Sequence, residues 1–195
     1  MKNYFLILLF VLPLFGFSQD NLDKTPKQHI NMLKEGKLLV RLHDKSNSIK
    51  ILLEKGMVKR AEYVKKKQDI LNLEIMKSFT NFKFCDVHFF YSNDSKFIKE
   101  GNYNKVKLYS FDSEGLKTNG INLDANFLVA DFGEMSGKNK MGMKAMYIMD
   151  NKLNQLSRPF PFYVRFHPTP IQNLSHAKVV KRMDKKLKKF YNQNN

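Results

Sequence analysis

Apolar residues recur along the chain with two different periods, and the switches between them mark the elements. Over residues 37–43 they alternate: Leu38, Val40 and Leu42 point one way, Leu39, Arg41 and His43 the other, as in a strand. Ser46 or Ser48 can cap a helix beginning near Ile49, with Gly56 either breaking it or tolerated within it. Over 57–79 the period becomes helical. Met57, Ala61, Val64, Leu71 and Ile75 make one stripe, widened by Ile70, Leu73 and Met76, with Lys59, Arg60, Lys65, Lys66 and Lys67 mostly off it. "FCDVHFFY" at 84–91 alternates again: Cys85, Val87, Phe89 and Tyr91 form a wholly apolar face, Phe84, Asp86, His88 and Phe90 the other.

A short helix over 96–100 ends at Gly101. Strands follow at 105–111, closed by the turn "DSEG", and at 126–132, where "NFLVADF" is almost continuously apolar, as an interior strand is. Residues 113–125 read as polar and irregular, and 133–142 as a flexible basic loop. Two more strands cover 144–149 and 162–167. Pro159 and Pro161 suit the entry or an edge position of the latter, and Pro168 and Pro170 end it. Ser175 caps a terminal helix reaching about Tyr191.

Two strands joined by a long helix lie parallel through a right-handed crossover, whereas short connections give antiparallel neighbours. The expected fold is therefore α/β, with α+β as the variant: a single mixed sheet of about five or six strands covered by helices. The order over 37–191, a βαβ half followed by a hairpin and a closing helix, weakly resembles the thioredoxin-like plan in topology alone. Cys85 has no cysteine three residues away, so that resemblance implies no dithiol chemistry here.

The first residues read as a signal peptide. Met1-Lys2 precedes the apolar run "FLILLFVLPLF" at 5–15, and Gly16-Phe17-Ser18 offers small residues for cleavage between Ser18 and Gln19. The run is interrupted by Pro13 and falls short of the roughly 20 residues that span a bilayer. The chain thus divides into a signal peptide (1–18), a polar arm with a short helix ended by Gly36 (19–36), one globular domain (37–191) and a disordered tail (192–195). The expected location is exported, periplasmic or secreted, and soluble after cleavage. Cys85 is the only cysteine, so stability must come from packing rather than from an internal disulfide.

The net charge is +16; less the one charge of Lys2, it is +15 after cleavage. Such a field favours an anionic small molecule, a glycan or a membrane surface as partner. Lysine far outnumbers arginine, and bidentate recognition of bases needs arginine, so a sequence-specific nucleic-acid reader is a poor fit. The helix "HAKVVKRMDKKLKKFY" carries an apolar stripe, Val180, Met183, Leu187 and Phe190, amid lysines. It can lie on an anionic membrane, but a stripe of that width matches ordinary docking on a sheet.

Two strands share the pattern Val-Arg-apolar-His: Arg41 and His43 in one, Arg165 and His167 in the other. Each pair shares a face at its strand's C-terminal end, where open α/β sheets bind ligands. Were the strands parallel neighbours, two guanidiniums and two imidazoles would converge on an anion, with Asp86 and His88 of a third strand completing the site. A metal arrangement of His43, His88 and His167 with Asp86 lacks the close spacing of zinc motifs, and no metal or cofactor is expected. Cys85 and His88 leave opposite faces of their strand, so the thiol reads as core. "GEMSGK" is one residue short of a phosphate loop and precedes a strand; "DFG" at 131–133 lacks every other kinase element. The leading expectation is a non-enzymatic binding module for anionic ligands or surfaces. The alternative is a hydrolase or transferase with His43 or His167 as general base.

Overall fold

The computed structural model describes residues 24–112, 114–120, 122–135, 142–169 and 171–195. The signal-peptide reading, and residues 136–141 of the basic loop, lie outside these. In chain order the elements are α1 (Pro26–Glu35), β1 (Lys37–Leu42), α2 (Ser46–Glu54), α3 (Val58–Ser78), β2 (Asp86–Tyr91), α4 (Ser95–Lys99), β3 (Leu108–Asp112), β4 (Gly115–Asn119), β5 (Phe127–Glu134), β6 (Lys144–Met149), β7 (Tyr163–Arg165) and α5 (His176–Asn194). The strands form one mixed sheet in the order β4-β3-β2-β1-β5-β6-β7, an α/β fold as the sequence leads one to expect. No described helix is long and apolar enough to cross a membrane.

β1 is the centre of the sheet. It runs parallel to β2 on one side and to β5 on the other, and every further pairing is antiparallel. Its entry is set by Gly36, where a Cβ would lie 2.0 Å from the carbonyl oxygen of Asn126. Only glycine lets the turn out of α1 press that closely on the chain entering β5, and Lys37 N then donates to the same oxygen at 3.1 Å. α1 itself is started by Thr25 and Gln28, which cap each other's backbone N–H.

The two faces of the sheet are covered unequally. Leu38, Val40 and Leu42 of β1, with Leu128, Ala130, Ile148 and Val164, lie in one core under α1, α3 and α5. α5 buries Val179, Val180, Met183 and Leu187 there, so its stripe docks and its lysines face outward. The opposite face has a smaller core, in which Leu39, Phe90, Phe127, Val129 and Met149 pack against Ile98, Val106 and Leu123. Among the described residues no long helix covers it. The columns Leu39–Arg41 and Phe127–Val129–Asp131 continue past the end of this apolar cover, and charge replaces hydrocarbon there.

Three elements differ from the sequence expectation. Residues 115–119, read as irregular, form the edge strand β4, and the sheet has seven strands. β4 has a single apolar residue, Leu116, itself exposed, and so shows no alternation. The inward face of α3 carries Ala61, Gln68, Asn72, Ile75 and Met76, while Met57, Ile70, Leu71 and Leu73 stay exposed. The helix is rotated because Gln68 donates to Asn72 at 2.9 Å and Asn72 to the carbonyl of His43 at 2.7 Å; these bonds compensate the burial of both amides. The last residues continue α5 to Asn194, with Asn194 Nδ2 donating to Phe190 O at 2.8 Å.

Leu187→Ala, in the three-helix core, is expected to cost about 2–5 kcal/mol in urea unfolding. Ile51→Ser, on α2, which buries no side chain, should stay within about 0.5 kcal/mol of the parent.

Candidate functional site

The charged end of the smaller face is organised around Asp131 of β5. Its carboxylate is 1% exposed, a costly position for an anion without partners. Four donors supply them. Oδ1 accepts from His43 Nε2 at 3.1 Å and from Phe132 N at 2.8 Å. Oδ2 accepts from Tyr147 Oη at 3.0 Å and from Arg41 Nη2, with which it forms an ion pair. A carboxylate has about four acceptor positions, so this one is saturated.

The protonation states follow. Burial pushes the Asp131 carboxyl up, but the hydrogen bond from His43 and the Arg41 charge outweigh it and hold the group below its ordinary range. Burial, reinforced by the Asp131 charge, pushes the Tyr147 phenol well up, so it remains a donor. An ionised carboxylate only accepts; His43 Nε2 must therefore carry the N–H, which leaves Nδ1 as the free ring nitrogen. The His43 backbone is fixed as well, by the Asn72 amide.

The side chain of His43, 34% exposed, borders a cavity of about 660 Å³ at the C-terminal edge of β1 and β5. Its apolar wall includes Ile75, Phe132, Phe166 and Leu174, and His167, His176, Lys144, Glu74 and Glu134 supply charged or ionisable groups. His176, the first residue of α5, meets Glu74 of α3 through Nδ1 at 2.9 Å. Its ring stands edge-on to Phe132 and Phe166, with centroids 5.3 and 4.9 Å apart.

The six residues singled out in the sequence do not share one place. Arg41 and His43 converge, on Asp131. β7 runs in the same direction as β1, but β5 and β6 separate them, so the parallel-neighbour arrangement does not form. His167, beyond the end of β7, still lines the same cavity as His43. Arg165, paired in register with Ala145, is exposed, and its guanidinium carbon lies 5.9 Å from the Tyr163 ring. Asp86 pairs with Lys37 at the opposite, N-terminal end of β1 and is exposed; His88 pairs with Leu39 and is 8% exposed. Neither reaches the cavity. Among the described residues no group of three or more His, Cys, Asp or Glu could hold a metal ion. Cys85 packs against the larger core, and burial pushes its thiol up to about 12, the state of an inert side chain.

Asp131, His176 and Lys144 were not singled out by sequence reasoning. Asp131 left one signal: it is the sole charge in the almost continuously apolar run 126–132, and a charge buried there demands a partner. His176 gave none, since a histidine at a helix start is ordinary. No family model matches the chain, and neither a curated protein nor a solved structure matches it.

Replacing Asp131 by Ala leaves Arg41 without its counter-charge and should cost about 3–5 kcal/mol in denaturant unfolding. Acid should weaken the parent in two windows. Burial lowers the His88 pKa from its ordinary 6.5, so just below pH 6.5 the unfolded chain binds the proton first and stability falls. Asp131 is depressed below 3.8; its contribution is complete above that pH and is lost as pH falls through its folded value. Urea midpoints between pH 8 and 2 check both steps, and His88→Gln should remove the upper one.

Proposed function

We propose that the protein is an exported binding module that takes a small anionic ligand with an apolar body, of the aryl carboxylate kind. The observation that carries this reading is the meeting of His43, His167, His176 and Lys144, from four separate segments, around one cavity with an apolar wall, where they outnumber the two carboxylates, Glu134 and the His176-bound Glu74. Pockets of 300–1,000 Å³ with an apolar lining and a few convergent polar groups are the usual form of a small-molecule site. Imidazoles and an ammonium favour a carboxylate there. Arg41 is not among the ligand groups, because it does not line the cavity and its Nη2 is paired with Asp131. The role of Asp131 is positioning: it fixes the His43 ring with Nδ1 available. Export rests on the apolar run at 5–15 and the small residues that follow it.

One observation favours a second reading. A histidine held through one ring nitrogen by a buried carboxylate is the arrangement in which hydrolases orient a general base. On that reading His43 Nδ1 takes a proton from water or a hydroxyl in the cavity.

Calorimetric titration of the purified protein with phenylacetate and longer aryl carboxylates tests the first reading. Binding should weaken about tenfold in His167→Ala and in Lys144→Ala, the loss of one charge-assisted hydrogen bond. Binding unchanged in both variants sinks it. Release of 4-nitrophenol from 4-nitrophenyl acetate, abolished by His43→Ala in a protein that keeps its fold, establishes the second.

A further inference from the structure

Away from the histidine cavity, three of the chain's five arginines gather at the other margin of the sheet. Arg165 projects from β7 and Arg158 from the loop before it. Arg182 and Lys186 are four residues apart on α5 and so share a helix face. Tyr163 is their common neighbour. The Lys186 ammonium lies 5.6 Å from its ring centroid and donates to its carbonyl at 3.1 Å. The guanidinium of Arg165 lies 5.9 Å from the same centroid, and the charges of Arg165 and Arg158 both act on its phenol. All four cations are exposed. Among the described residues none of them forms an ion pair with a carboxylate, in contrast to Arg41, Lys117 and Lys188, which do.

The cations act on the ring and on one another. Partial burial pushes the Tyr163 phenol up, yet the nearby guanidiniums of Arg165 and Arg158 outweigh it and hold the group below its ordinary value. Lys186 is also held low, by desolvation first and then by the like charges of Arg158, Arg182 and Arg165. One dianion placed among them offsets two of the four positive charges and lowers the repulsion among all of them. Guanidinium forks match a tetrahedral oxyanion through paired N–H donors, and the lysine adds a point charge.

We propose that Arg158, Arg165, Arg182 and Lys186 form a second site, centred on Tyr163, for a phosphate monoester group. It is separate from the histidine cavity and does not depend on the function proposed for it. A monoester fits better than a diester because it brings two negative charges and more free oxygens to several separate donors.

Titration of the full protein with inorganic phosphate, at fixed ionic strength, tests the site. Arg158→Gln, Arg165→Gln and Arg182→Gln should each weaken binding about tenfold or more, whereas Lys59→Gln, on the exposed side of α3, should leave it unchanged. Phosphate should also raise the pH at which one tyrosine ionises, read by phenolate absorbance, and Tyr163→Phe should abolish that shift. A drop no larger in the arginine variants than in Lys59→Gln overturns the proposal, as does a tyrosine titration that ignores phosphate. Vesicles separate the sources. Arginine-dependent binding to phosphatidic acid vesicles together with free phosphate supports the site with a lipid headgroup as its ligand. Binding to free phosphate without vesicle binding supports it with a soluble monoester. Equal, arginine-independent binding to phosphatidic acid and phosphatidylglycerol vesicles, with free phosphate ignored, refutes it.

Discussion

A single buried carboxylate joins the central strand to its neighbours at one end of the sheet. Asp131 accepts from β1 through Arg41, from the residue after β1 through His43, and from β6 through Tyr147. The apolar core of that face ends one residue pair earlier, at Leu39 and Val129. Without the carboxylate, a guanidinium and a phenol would crowd an unmatched margin; with it, every acceptor position is filled and the histidine ring has one orientation. A buried ion pair is weak evidence for stability by itself. Its effect here is specificity: it fixes which strands meet, in which register, and where an imidazole faces a cavity.

The unequal covering of the sheet explains why that margin is free to carry chemistry. Three helices seal one face over its length, and their contacts account for most of the buried apolar side chains. The other face needs only a short helix and loops. A polar amide chain, Gln68 to Asn72 to the His43 carbonyl, ties the long helix α3 to the same margin. Helix position and site geometry are thus set by the same few bonds.

Much of the fold was legible because it rests on local periodicity. The alternation in β1 and β2 and the apolar run in β5 are consequences of burial on one or both faces, and burial leaves its trace in the chain. β4 left none, since an edge strand with one exposed leucine has nothing to alternate. The α3 stripe misled because two of its inward positions are amides held by hydrogen bonds, which hydropathy counts as outward. The site was half visible. Arg41 and His43 stood out by their shared face at a strand end, but their partner lies 88 to 90 residues away. Strand order, which no local pattern encodes, decided that His167 would join them and that Arg165 and Asp86 would not.

The two margins of the sheet have a consequence for how the molecule behaves in company. An open strand edge is a template on which another chain can add itself. Here one margin is a strand of only three residues, and the other carries Lys117, held by Asp112 and Glu114 across its turn. A short edge and a charged one both discourage that growth. Both features work against the edge-to-edge addition by which sheets grow into fibres.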